Sequence, residues 1–259
     1  MEKVFLNEFN ATELNKMINS GEIDSIITVF GSCESHGWHM PLGPDIFVPE
    51  EIAKRAAKRL NKTIVAPGVP FGTSIHYNKY PLSLTLKFET TIALAEDIFD
   101  SLINHGIKNI FILNGHDGNI PALEIAARKA KNKHQEASLF YLPAWWEVTG
   151  DKMEDDFEVW NGLGHGGEGE TSITKAVKPD LVNLEKASPE VPNDVINIGD
   201  HYGTMIWDIE EITETGATGD STKASQEKGE KMLDIVVDYV VQVIKELEEN
   251  NWRYDYRKK

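Results

Sequence analysis

The stretch KNIFILNGHDGNIPALEIAARKAK, residues 108–131, sets the architecture. It opens with an apolar run of strand length, turns through Asn and Gly, and continues with apolar residues at helical spacing. A strand that hands over to a helix in one short turn is the repeating step of a parallel sheet. The same order recurs along the chain. Residues 25–31 (SIITVFG) read as a strand, and 48–60 (VPEEIAKRAAKRL) as a helix with Pro49 in its first turn. Residues 63–67 (TIVAP) read as a strand, 90–105 as a helix, and 137–142 (ASLFYL) as a strand. In 90–105, Thr90 and Thr91 are cap candidates, and Leu94, Ile98 and Leu102 share a face. Short apolar strands alternating with amphipathic helices predict an α/β domain, a three-layer α/β/α sandwich around a mainly parallel sheet.

Two further helices frame this core. Residues 11–19 (ATELNKMIN) form a short one stopped near Gly21, and 222–248 a long one with Leu233, Val237, Val240, Val241 and Ile244 as its stripe. Residues 143–165 and 184–221 lack periodicity and read as insertions that wall a site. No repeat or linker interrupts the chain, so residues 1–259 are read as one domain.

The 259-residue chain carries 26 Lys+Arg against 42 Asp+Glu, a formal net charge of −16. That surplus of acid excludes a phosphate-backbone binder and a polybasic membrane anchor, and leaves divalent cations as natural partners. No nucleic-acid or membrane partner is therefore expected. The single cysteine, Cys33, excludes an internal disulfide and is read as a small buried residue, its thiolate disfavoured by the acids beside it. The opening MEKVFLNEFNATELNKM lacks the apolar core of a signal peptide, and a cytoplasmic location is expected.

Parallel sheets bind ligands beyond the carboxyl ends of their strands, and two clusters of unusual residues fall there. GSCESHGWHMPLGPD (31–45) offers Glu34, His36, His39 and Asp45. In extended backbone Glu34 and His36 point the same way, and Asp45 returns after a loop containing Pro and Gly. Carboxylates and an imidazole meeting at a strand end are metal-site chemistry. LNGHDGN (113–119) puts His116 at the tip of a strand-to-helix turn, with Asp117 read as a helix-start acid. A third cluster, LGHGGEGETS (163–172), holds His165, Glu168 and Glu170. Glu168 fits a tolerant helix-start acid, although spacing alone does not separate the three. No G-x-S-x-G elbow, phosphate loop or dinucleotide fingerprint occurs.

These strings resemble the creatininase (creatinine amidohydrolase) family. GSCESHGWHMPLGPD is similar to its G-S-x-E-x-H-G-x-H-L-P-L-x-T-D signature, LNGHDGN to its N-G-H-G-G-N, and HGGEGETS to its H-A-G-x-x-E-T-S. GATGDSTKASQEKGEKML (216–233) is similar to its G-x-x-G-D-P-x-x-A-x-x-E-K-G stretch. The resemblance implies a two-metal site holding zinc and/or manganese, with iron as a further option. Glu34, His36, Asp45 and His116 match metal ligands, with Asp45 bridging. Glu170 matches a further ligand and His165 the catalytic histidine. Ser74, His76, Tyr77, Trp146 and Trp160 are candidate contacts to a small-molecule substrate. A homo-oligomer, in the family a hexamer, is also implied.

The implied reaction is attack of metal-activated hydroxide on the carbonyl of a small amide, formamide or lactam, with His165 protonating the leaving nitrogen. The same site would serve a cyclic carbohydrate ketone, or persist in a metal-binding regulator without turnover. The chain departs from creatininase proper in three places. Gly118 stands where a glutamate is expected, Asn161 where a tryptophan is, and YPLSLT (80–85) replaces F-P-G-T. Creatinine is therefore expected to be a poor substrate.

Overall fold

Four parallel strands in the order β2-β1-β3-β4 form the centre of the molecule, in a computed structural model. It describes residues 3–150, 152–153, 156–158, 163–192 and 206–253. The strands are β1 (Ser25–Phe30), β2 (Thr63–Val65), β3 (Asn109–Asn114) and β4 (Ser138–Leu142). β1 and β3 run in register from Ser25 opposite Asn109 to Phe30 opposite Asn114, so both end at one level.

Side chains alternate across the sheet and meet helices on each face. Ile27, Val29, Phe111 and Leu113 pack against α2 (Pro44–Arg59), α6 (Glu168–Val177) and α7 (Gln226–Glu249). Ile26, Phe30, Ile110 and Ile112 pack against α3 (Phe88–Asn104) and α4 (Ile120–Lys133), with α1 (Ala11–Ser20) alongside. This is the three-layer α/β/α arrangement, with strands buried on both faces as all-parallel sheets require. Among the described residues no helix is long and apolar enough to cross a membrane.

Three helix starts differ from the sequence reading; the long C-terminal helix α7 begins at Gln226 rather than 222, capped by the Ser225 side chain. α2 begins at Pro44 rather than near Val48, so Pro49 lies inside the helix and Asp45 in its first turn. Proline at the first helical position loses no hydrogen bond, because that N–H has no intrahelical partner. α3 begins at Phe88 and is capped by the Lys87 backbone without a side-chain bond. Thr90 and Thr91 are thus within its first turn, and its fully buried face is Thr91, Ala95, Phe99 and Ile103, one residue round from the predicted stripe. In α7 the predicted stripe is buried as read.

The two aperiodic stretches are mostly loop among their described residues. They carry the one-turn α5 (Glu147–Gly150) and a two-residue antiparallel pair, β5 (Pro189–Glu190) with β6 (Gly219–Asp220).

α6 is held on α7 at close range. A Cβ on Gly229 would lie 2.0 Å from the Ser172 carbonyl oxygen, so only glycine lets the helices approach this far. Glu168, at the start of α6, is 1% exposed. Its Oε1 accepts from Lys228 Nζ of α7 at 2.5 Å, and its Oε2 accepts from the Glu158 backbone N–H at 3.0 Å. The tolerant helix-start acid of the sequence reading is instead a buried ion-pair anchor. Glu168→Ala should therefore cost about 2–3 kcal/mol of stability in urea denaturation, since it removes the buried carboxylate that Lys228 pairs with and strands the Glu158 backbone donor. A cost below about 0.5 kcal/mol, ordinary for a surface site, would return Glu168 to the tolerant role.

Candidate metal centre

The site gathers where β1 and β3 end. After β1 the chain stays extended, so Glu34 and His36 both turn inward and are fully buried, while Cys33 and Ser35, which alternate with them, are half-buried. Cys33 is thus more exposed than predicted. Burial, then the Asp45 and Glu34 charges, push its thiol up. His39 folds away from the site and donates from Nε2 to Thr171 Oγ1 at 2.8 Å. Burial pushes it down to about 4.

Asp45 enters from the first turn of α2, which sits directly on the strand ends. A Cβ on Gly115 would lie 2.0 Å from the Asp45 carbonyl oxygen, and one on Gly31 2.5 Å from it. His116 follows β3 in a turn locked by asparagines. Asn114 Nδ2 donates to the His116 carbonyl at 2.6 Å, and Asn119 Nδ2 to the Gly31 carbonyl at 3.0 Å. His165 and Glu170 arrive from the Gly-rich entry to α6, where Gly164 and Gly166 adopt φ of 57° and 58°. The Glu170 Oε2 accepts from Gly166 N–H at 2.6 Å.

Three imidazoles are oriented alike. His36 Nδ1–H donates to the Glu34 carbonyl at 3.1 Å, His116 Nε2–H to the Thr73 carbonyl at 2.9 Å, and His165 Nε2–H to the Ser35 carbonyl at 2.7 Å. Each ring is left presenting its other nitrogen to carboxylates. His36 Nε2 faces Asp45 Oδ1 at 3.0 Å and Glu170 Oε1 at 3.4 Å. His116 Nδ1 faces Asp45 Oδ2 at 3.2 Å and Glu34 Oε1 at 3.3 Å. His165 Nδ1 stands further off, 3.9 Å from Glu34 Oε1 and 4.0 Å from Glu170 Oε2.

This donor set fits divalent cations. A nitrogen lone pair directed at carboxylate oxygens is repulsive unless a positive charge lies between them. Burial disfavours charge on His36 and His116. Even so, Glu170 and Asp45 around the first, and Glu34 and Asp45 around the second, hold both well above the ordinary imidazole range. Burial opposes charge on Asp45 too, but His36 and His116 hold its carboxyl far below the usual range. Glu34 Oε1 and Asp45 Oδ2 are buried without a hydrogen bond of good geometry among the described residues. Three ligand groups converge within 4.8 Å: Glu34, Asp45 and His116; His36, Asp45 and Glu170; and Glu34, His36 and His165. Asp45 turns one oxygen to each of the first two groups, the geometry of a bridging carboxylate. Mixed imidazole and carboxylate donors suit zinc or manganese.

Gly118 occupies a position with no room for a side chain. A Cβ there would lie 2.1 Å from the Thr73 carbonyl oxygen, the atom that orients His116. The centre opens into a cavity of about 510 Å³ whose lining includes His76, Tyr77 and Trp146. Ser74 is not on that wall; it is fully buried behind His116, bonded to Ser32 Oγ and 3.3 Å from His116 Nε2. Trp160 and Asn161 lie outside the described residues. The sequence reading missed Trp207, Ile209 and Glu147, which also line the cavity. Its only signal for them was that the aperiodic segments wall a site.

A family model described as creatininase, creatinine amidohydrolase, matches residues 7–244. The chain belongs to the creatininase family. It is 26% identical to creatinine amidohydrolase of Pseudomonas putida, over 95% of this chain and 97% of that one. It is also 26% identical to 3-dehydro-scyllo-inosose hydrolase of Thermotoga maritima, over 88% and 79% of the two chains. Mycofactocin precursor peptide peptidase of Mycobacterium tuberculosis is 25% identical, over 83% and 82%. Among solved structures, the manganese form of creatininase superposes with a TM-score of 0.80 at 26% identity, covering 94% of this chain and 98% of that one. A mutant creatininase of Zn–Zn type gives 0.81 at 25%, with the same coverage. This protein is a creatininase-family hydrolase with a buried His, Glu and Asp metal site.

Asp45→Ala should lose more than one equivalent of metal per chain by elemental analysis, because both of its oxygens face ligand groups. A variant that keeps two full equivalents would remove Asp45 from the bridging position.

Proposed function

We propose that this protein is a metal-dependent hydrolase, a single domain over residues 1–259, that cleaves the C–N bond of a small amide, formamide or lactam. One observation carries the reading. The Asp45 carboxylate is shared between two buried ligand groups at the floor of a cavity sized for a small molecule. Glu34, Asp45 and His116 would hold one cation, and His36, Asp45 and Glu170 a second, filled by zinc and/or manganese, with iron as a further option. Bound divalent cations supply a lowered water pKa and polarisation of a carbonyl oxygen.

The protein's own residues do the rest. The Ser35 carbonyl fixes His165 so that Nδ1 faces the cavity floor. Burial, then the nearby His36, push its pKa below the ordinary imidazole value, and a neutral ring is ready to accept a proton. Having taken a proton from the attacking water at Nδ1, it hands it to the departing nitrogen. The ring is held on both faces, by His36 at 4.2 Å and Tyr77 at 4.4 Å between centroids, which keeps it in position for both transfers. Its greater distance from the carboxylates supports proton transfer rather than ligation.

A second reading has its own support. The inosose hydrolase of Thermotoga maritima matches at the same 26% identity as the Pseudomonas enzyme, over a smaller share of both chains, and this supports opening of a cyclic carbohydrate ketone at the same floor as the alternative to amide cleavage. A cytoplasmic homo-oligomer, a hexamer by resemblance to the family, belongs to the same reading. Exposed Phe71, Ile75, Leu82 and Leu84, all within residues 71–84, support a covered face.

The function is tested with protein loaded with zinc or with manganese and assayed on small amides, lactams, dipeptides and cyclic ketones. Turnover of an amide or lactam above about 1 per second, abolished by chelation, is expected, with creatinine among the poor substrates. Turnover confined to the ketones would move the reaction to C–C cleavage, and none with either metal would leave a metal-binding regulator. His165→Ala should keep both metals and lose about 10²–10⁴-fold in kcat. If it strips a metal instead, His165 is a ligand and the proton is carried elsewhere.

A further inference from the structure

The fourth motif, GATGD (216–220), supplies no member of the three ligand groups. It is nevertheless packed against both turns that carry His36 and His165. The Ala217 side chain is wedged between two glycines. A Cβ on Gly37, next to His36, would lie 2.9 Å from the Ala217 Cβ, and one on Gly166, next to His165, 3.1 Å from it. Thr218 comes closer still. A Cβ on Gly164 would lie 2.1 Å from the Thr218 carbonyl oxygen, and one on Gly167 2.5 Å from it.

Thr218 holds the His165 backbone at two points. The Thr218 N–H donates to the His165 carbonyl at 2.7 Å, and Thr218 Oγ1 accepts from the His165 N–H at 2.9 Å. Gly164 and Gly166 flank His165 at φ of 57° and 58°, and glycine is the most freely deformed backbone there is. The two bonds to Thr218, rather than the turn itself, therefore fix the Cα from which the imidazole hangs. The Ser35 carbonyl then sets the rotation of the ring.

A clamp of this kind needs a fixed base, and Thr218 has one. It precedes β6, which pairs with β5 so that Gly219 lies opposite Glu190. Glu190 Oε2 gathers the turn ahead of the motif. It accepts from Thr213 Oγ1, from the Glu214 N–H at 2.8 Å and from the Thr215 N–H at 3.3 Å. Thr215 Oγ1 accepts from the Ala217 N–H at 3.3 Å.

We infer that Thr218 is a positioning residue for His165, holding the imidazole where it takes and delivers its proton at the cavity floor. This rests on the reading of His165 as the proton carrier and deepens it. The hydroxyl acts as an acceptor for one backbone N–H, so its contribution falls on the transition state that His165 serves and not on metal or substrate binding.

Thr218→Val and Thr218→Ala remove the acceptor, and Thr218→Ser keeps it. Each is loaded with zinc and assayed on whichever amide, lactam, dipeptide or cyclic ketone of the panel the wild-type protein turns over fastest. Both deletions should keep both metals by elemental analysis and hold KM within about twofold, while kcat falls about ten- to a hundredfold. Thr218→Ser should return kcat to within about threefold of wild type. Added to His165→Ala, Thr218→Val should cost less than about twofold more, because the imidazole it positions is already gone. An unchanged kcat, an equal loss in both backgrounds, or loss of a metal would overturn the clamp. A raised KM with kcat kept would overturn it too, and make Thr218 a substrate contact. If His165→Ala itself keeps full activity, or the wild-type protein turns over nothing in the panel, the proton-transfer reading fails and the clamp with it. If His165→Ala loses activity and Thr218→Val does not, only the clamp falls.

Discussion

The Asp45 carboxylate, set between two buried imidazoles, is the constraint on which the rest of the structure depends. Burying Glu34, Asp45 and Glu170 together at the strand ends is costly, because like charges in a poorly solvated space repel. The arrangement is tolerable only with positive charge in its midst, as protons on His36 and His116 or as divalent cations. Each oxygen of Asp45 serves a different imidazole, so this one side chain couples the two halves of the centre. Its position at the start of α2 fixes where that helix must begin.

Much of the surrounding backbone serves to aim these groups. Three carbonyls, from Glu34, Thr73 and Ser35, each take the far N–H of one histidine. That selects the tautomer and leaves the other nitrogen for the centre. Two of those carbonyls come from the Glu34–His36 segment itself, so β1's extended continuation supplies both ligands and their orientation. The third comes from a loop pinned by Asn119, whose Oδ1 accepts from Thr73 N–H at 2.9 Å. Gly31, Gly115 and Gly118 are then matters of space: α2 and the Thr73 carbonyl come too close for a side chain.

Gly118, where the resemblance leads one to expect a glutamate, has no room for a side chain. A larger residue there would displace the carbonyl that orients His116. Carboxylate for the second ligand group comes from Glu170 at the start of α6. α6 is in turn anchored to α7 by the Glu168–Lys228 ion pair and the Gly229 contact. The long C-terminal helix, remote in sequence from the first motif, therefore helps hold the metal centre in shape.

Sequence by itself determined the α/β class, the strands, the long helix and the motif histidines and acids. Those features are local: apolar periodicity marks each element, and Asn, Gly and Pro mark the turns at the strand ends. Glu34 and His36 were legible because an extended chain puts alternate residues on one side, and LNGHDGN because a strand-to-helix turn exposes its tip. Tertiary structure alone decided that Asp45 begins a helix, that Glu168 is buried against Lys228, that Ser74 lies behind His116 rather than on the cavity wall, and that Trp207 and Glu147 face the cavity. Each of these depends on a partner far away in the chain, brought near by helix packing or by an aperiodic loop, and no short-range pattern records which distant residue will fill a given space.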